Sequence, residues 1–165
     1  METSKKLESI LKRLDDYYLS VNNKGLFFLG INTAILGFIL TTSSEILIQT
    51  SVTWVFILQC ILLLVCLLSL TFTLLSVIPF LEPGKTYNYS SLIFFGSISK
   101  LEFPNFHDSL CAQTDEEFNE DLIRQIYTLS IGLRKKFKNL KLAGWLIAIE
   151  FMVIIPISIN MTLNS

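Results

Sequence analysis

From Thr114 to Asn160 the chain runs on with no proline before Pro156. The first half of this run, Asp115 to Lys138, is charged, with Phe118, Leu122, Ile126, Leu129, Leu133 and Phe137 spaced three and four apart. The second half, Leu140 to Ile159, is almost wholly apolar. TDEEF at its start has the form of a capping box: the Thr114 hydroxyl can accept from the Glu117 amide, and the Glu117 carboxylate can reach back to the Thr114 amide. This pattern predicts one helix of about 70 Å, more than twice a hydrocarbon core of about 30 Å. Such an element starts in water and ends in lipid, so the remaining chain must supply partners for both halves.

Only 16% of the residues are charged, and 52% are hydrophobic. A soluble domain carries about 25% charged residues, so the chain belongs to the membrane class. Two further apolar runs, residues 25–41 and 53–80, complete a set of three spans. The first begins too far into the chain, and is too long, for a cleaved signal peptide. It holds Gly30 and Ala34 at small-xxx-small spacing, which permits close helix approach in lipid. It also holds Asn32, a polar group that needs a partner. Trp54 opens the second span as an interfacial anchor, and Pro79 marks its exit.

The segments around the spans are polar. Residues 4–23 read as an amphipathic helix, with Leu7, Ile10, Leu11, Leu14, Tyr17, Tyr18 and Val21 on one face. That face is the expected partner for the wet half of the long helix. Residues 42–52 read as a short polar turn. Residues 81–113 form a mixed insertion: turn-rich EPGKTYNYSS, an apolar run at 91–98 read as a buried strand or as a piece lying against helices or headgroups, and LEFPNFHDSL read as loop. The fold class is therefore an all-α membrane protein. It has three transmembrane helices (25–41, 53–80, 140–159), two of which extend into the cytosol as a helical layer, and residues 1–165 form a single domain.

Every Lys and Arg lies in residues 5–24 or 85–141. By the positive-inside rule the N-terminus and residues 81–139 are cytoplasmic, and the 42–52 turn and the C-terminus are outside.

Nothing in the sequence has the form of an enzyme, and no catalytic residue is assigned. His107 is the only histidine, so no metal spacing exists. The three cysteines, Cys60, Cys66 and Cys111, read as small apolar fillers rather than a disulfide framework. There is no phosphate-binding glycine loop. Three features could carry function. Glu150 is an intramembrane carboxylate, read either as part of an ion path or proton response, or as a packing group paired with Asn32 or Gln59. Arg134, Lys135, Lys136 and Lys138 sit at the edge of the third span and read as topology determinants touching lipid headgroups. Finally, Lys24, Lys85, Lys100 and Arg124 lie among Tyr87, Tyr89, Phe94, Phe95 and Tyr127. Cations for a phosphate and rings for a base are the ingredients of a nucleotide pocket. Of these residues, Lys24, Phe94, Phe95, Lys100, Arg124 and Tyr127 are the candidate nucleotide-binding set; Glu150 and Asn32 are the intramembrane candidates.

The stretches NNKGLFFLGINTAILG, SSLIFFGSISKLEFPNF and EEFNEDLIRQIYTLSIGLRKKFKNLKLAGW together resemble the Pycsar effector domain, a family of small prokaryotic membrane proteins. Asn22 stands where the family carries an acidic residue, and Phe80 where it carries a basic one. The resemblance implies an anti-phage role. In such systems a cyclase senses infection and makes cyclic UMP or cyclic CMP, and the effector responds by impairing the inner membrane, so that growth stops before phage release. It implies a cyclic mononucleotide as ligand, a cognate cyclase as its source, the lipid bilayer as partner, several copies of the chain in the assembly, and neither a cofactor nor a nucleic acid. The competing readings are a ligand-independent pore-forming toxin and a membrane scaffold that docks a soluble partner.

Overall fold

The computed structural model describes the backbone of residues 2–49, 53–79 and 91–164. Among the described residues five helices follow one another: α1 (Glu2–Gln49), α2 (Thr53–Val77), α3 (Phe95–Ile98), α4 (Phe103–Ala112) and α5 (Asp115–Asn164). No strand occurs among the described residues. α1, α2 and α5 are each long and apolar enough to cross a membrane. The chain is an all-α membrane protein, as its composition predicts.

Three local expectations are corrected. Residues 4–23 and 25–41 are one helix, as expected of a span that extends beyond the apolar run, but α1 continues through residues 42–49, which were expected to turn. The hydroxyls of Thr41, Thr42 and Ser43 donate to carbonyls of their own helix, those of Gly37, Phe38 and Ile39, so polar residues here do not compete with the helix. Residues 91–98 form no strand; they make a turn leading into α3. LEFPNFHDSL is not loop but lies mostly in α4, whose Pro104 stands in the first turn, where its missing N–H costs nothing. Residues 50–52 and 80–90, with Phe80, Lys85, Tyr87, Tyr89 and most of the turn-rich stretch, lie outside the described residues.

α5 begins at the capping box: the Glu117 amide donates to Thr114 Oγ1 (3.3 Å), and the Thr114 amide to Glu117 Oε2 (2.9 Å). It runs without a break through residue 139, where the sequence changes from amphipathic to apolar, and past Pro156.

Burial along the three long helices follows one rule, alternating steps of four and three. On α1 it passes through Leu7, Leu11, Leu14, Tyr18, Val21, Gly25, Phe28, Asn32, Ile35, Ile39 and Thr42. On α2 it takes Val55, Gln59, Leu62, Cys66, Ser69, Thr73 and Ser76. On α5 it takes Leu122, Ile126, Leu129, Leu133, Lys136, Leu140, Ala143, Ile147, Glu150, Ile154 and Ile157. A step of 3.5 residues is the coiled-coil repeat and winds helices left-handedly. The seam of α5 passes through Lys136 rather than Phe137, which is 39% exposed.

The chain divides into two compact units. In the first, residues 1–19 and 79–134, Leu7 and Leu14 of α1 and Leu122 and Leu133 of α5 are buried. The Tyr18 hydroxyl donates to the Leu129 carbonyl over 2.8 Å, so α1 is the partner expected for the wet half of α5. Burial pushes the Tyr18 phenol above its ordinary pKa. α4 buries none of its residues.

The second unit comprises residues 20–78 and 135–165. Within it α1 and α5 run the same way and α2 runs against both. Its apolar core is Ile35, Ile39, Val55, Leu62, Cys66 and Ile157. Gln59 is committed to α1: its Nε2 donates to the Ile39 carbonyl (2.9 Å) and to Thr42 Oγ1 (3.0 Å). Large apolar side chains such as Leu64 and Met152 face outward, as lipid requires. The glycine that allows close approach within this unit is Gly25, where a β-carbon would stand 2.5 Å from Val77 Cγ2. Gly30 meets nothing within 4 Å, and Ala34 is exposed.

Candidate functional site

In the first unit, Asp121 organises the Ser91–Gly96 segment from α5. Its carboxylate is buried and accepts from Ser91 Oγ (2.9 Å) and from the Leu92 amide (3.0 Å). Ser91 Oγ in turn accepts from the amides of Ile93 (3.2 Å) and Phe94 (3.0 Å). Three successive amides are thus satisfied by side chains, and this fixes the turn that presents Phe94 and Phe95. Their rings lie 5.0 Å apart at 53°. At Gly96 a β-carbon would stand 2.6 Å from Phe94 Cε1, so any larger residue there displaces that ring. Phe95 is 64% exposed and available to stack on a flat ligand.

The other candidate nucleotide residues are distributed more widely. Lys100 follows α3 and is exposed. Arg124 is half-buried and ion-paired with Glu120 one turn earlier on α5, so an anion would compete with that carboxylate. Tyr127 is 69% exposed. Lys24 is exposed and belongs to the second unit. The structure therefore brings Phe94 and Phe95 together and pairs Arg124 with Glu120. His107 is a surface residue, close to Asp108 (3.2 Å) and to Cys111 Sγ (3.8 Å). No group of metal ligands occurs among the described residues.

In the second unit the decisive side chain is one the sequence disguised. Lys136 was read as a topology determinant, yet it is 4% exposed. Its Nζ donates to the carbonyls of Ser76 (2.6 Å) and Val77 (3.0 Å) and to Asn22 Oδ1 (3.3 Å). The last carbonyls of a helix have no partner within it, and they form the negative end of its dipole; an ammonium there answers both needs. Burial lowers the Lys136 pKa below its ordinary value. One side chain of α5 thus ties the end of α2 to α1. The sequence signal was its place in the four–three repeat between Leu133 and Leu140. Asp121 was also missed, because an acidic residue among Glu116, Glu117 and Glu120 reads as solvated surface.

Deeper in the same unit lie the intramembrane candidates. Asn32 and Glu150 are both fully buried. Asn32 Nδ2 donates to the Phe28 carbonyl of its own helix (2.9 Å), and Oδ1 has no partner among the described residues. The Cys66 thiol donates to the Asn32 carbonyl (3.7 Å) and lies within electrostatic reach of Glu150. The Ser69 hydroxyl lies beside the Glu150 carboxyl, and neither carboxyl oxygen has a hydrogen-bond partner among the described residues. Gln59, spent on Ile39 and Thr42, is not the partner of Glu150.

No curated protein and no solved structure matches the chain. Residues 6–162, however, match the Pycsar effector protein domain, nearly the whole sequence and all three spans. The chain therefore belongs to the Pycsar effector family and is a membrane effector of anti-phage defence.

Proposed function

We propose that the protein is a non-enzymatic effector that binds cyclic UMP or cyclic CMP at its polar unit and, in response, impairs the inner membrane to abort infection. The observation that carries this reading is the family match across residues 6–162 in a chain with three apolar spans. A cyclic mononucleotide offers one negative charge and one flat ring. Phe95, with Phe94 behind it, supplies an exposed aromatic surface, and Arg124 and Lys100 supply cations in the same unit.

The whole chain acts as one effector domain. Its N-terminus and residues 81–139 face the cytoplasm and its C-terminus faces outward, following the distribution of Lys and Arg. Three spans enclose too little space for a conductive path, so several copies assemble. The face of α1 with Gly30 and Ala34 supports this, since a β-carbon at Gly30 meets nothing within 4 Å among the described residues and Ala34 is exposed. Binding shifts the assembly only if the ligand prefers one arrangement of the helices over another. The unbroken α5 is the element through which that preference reaches the spans.

The test is thermal stability in detergent titrated with cyclic UMP, cyclic CMP and their purine counterparts. A saturable upward shift with one pyrimidine nucleotide supports the reading. No shift with any nucleotide, combined with killing on expression alone, supports the ligand-independent toxin. Co-purification of a stoichiometric soluble protein supports the scaffold.

A further inference from the structure

The seam of α2 changes character along its length. From Val55 to Cys66 it lies against the apolar core. From Ser69 onward it presents Ser69, Thr73 and Ser76, all fully buried, over about 10 Å. Thr73 donates to the Ser69 carbonyl, whereas the hydroxyls of Ser69 and Ser76 have no partner among the described residues. This hydroxyl stretch runs from Lys136, bound to the Ser76 carbonyl, to Glu150, which lies beside Ser69. Past Glu150 the seam is closed by Ile35, Leu62 and Ile157.

Glu150 therefore sits at the blind end of a one-sided polar stretch. The titratable groups turned inward around it are few. On α2 there is the Cys66 thiol, and on α5 Lys136, four turns away. Residues 25–43 of α1 contain none. An ionised carboxylate at this depth would have no cation beside it and only one hydroxyl at hand, which is among the costliest arrangements a bilayer can hold. A metal ion would need several more oxygen ligands than one carboxyl and one serine provide.

We propose that Glu150 is an intramembrane proton-binding site, carrying its proton while the spans are packed as they are here and exchanging it with water at the Lys136 end through Ser69, Thr73 and Ser76. Release of that proton leaves a carboxylate in the seam and loosens the packing of α5 on α2. The inference stands independently of the nucleotide reading.

Dicyclohexylcarbodiimide, a lipid-soluble reagent that adds to protonated carboxyls, tests it on the full chain in nanodiscs, with mass spectrometry locating the adduct. The adduct is expected at Glu150, absent from Glu150→Gln, with a labelling rate that falls about tenfold per pH unit once the carboxyl ionises. It is unaffected by exchanging choline for Na⁺ at constant ionic strength. After a jump from low to high pH, reactivity is lost more slowly in Thr73→Val than in the unaltered protein. No adduct at Glu150, a rate indifferent to pH, or protection by Na⁺ overturns the proton site; equal rates in Thr73→Val overturn the route.

Discussion

The ammonium of Lys136 donates to the backbone carbonyl of Ser76 over 2.6 Å and so caps, from α5, the helix that ends two residues before Pro79. Removing it orphans two carbonyls at once. Lys136→Met is expected to lower stability by about 2–3 kcal/mol, since hydrogen bonds from charged donors contribute about 1.5–3 kcal/mol each and net values do not add fully. Thermal unfolding in detergent measures this, and an unchanged midpoint would remove the cap from the account.

Asn22 is the third acceptor of Lys136, at 3.3 Å. Asn22→Asp would set a carboxylate against a buried ammonium. The expected gain is about 1 kcal/mol, the usual difference between a neutral and a charge-assisted hydrogen bond. The gain should vanish in the background of Lys136→Met, which a double-mutant cycle would detect.

Gly25 and Gly30 make a matched pair. Gly25→Ala brings a β-carbon to 2.5 Å from Val77 Cγ2 and should cost about 1–3 kcal/mol, with recovery when Val77 is cut to Ala. Gly30→Ala meets nothing within 4 Å among the described residues and should change monomer stability by less than about 1 kcal/mol in either direction. Comparing the two unfolding midpoints decides which glycine serves the packing of this chain.

The spans were legible in the sequence because twenty-odd apolar residues have few other places to go. The turn at residues 91–94 was not, because its geometry comes from Asp121, some thirty positions away. Phe94 and Phe95 gave the segment the look of a strand, but the amides a strand would pair are taken by Asp121 and Ser91. Lys136 was hidden for a different reason. Among Arg134, Lys135 and Lys138 a fourth cation reads as topology, and only the four–three repeat separates the inward one from its neighbours. Glu150 was visible as an anomaly, but its neighbour Ser69 was one serine among many.

Asp121→Asn should release the Leu92 amide and Asp121→Ala the whole turn. Hydrogen exchange should rise at residues 92–95 and stay unchanged in α2. Ser91→Ala should expose the amides of Ile93 and Phe94 while leaving that of Leu92 protected. Exchange that is uniform across the three variants would show that the turn is held by something other than this carboxylate.

At the start of α5, the backbone and hydroxyl of Thr114 both donate to Glu117 and hold its carboxyl below the ordinary value. A lowered folded-state value means a contribution that is complete above the ordinary value of 4.5 and is lost as pH falls through the folded one. The protection of the amides of residues 114–118, relative to their intrinsic exchange at each pH, should therefore fall on acidification below that value. Thr114→Ala should exchange rapidly at neutral pH already and show no such step.

In the proposed function, α5 carries a ligand's preference from the polar unit into the spans. The direct measurement is release of a small dye from vesicles containing the protein, titrated with cyclic UMP and cyclic CMP. It is made on the unaltered chain and on one with three glycines inserted between Asn139 and Leu140. Saturable release is expected from the unaltered chain with one nucleotide, and no release from the interrupted chain although its first unit still binds. Equal release from both would contradict it.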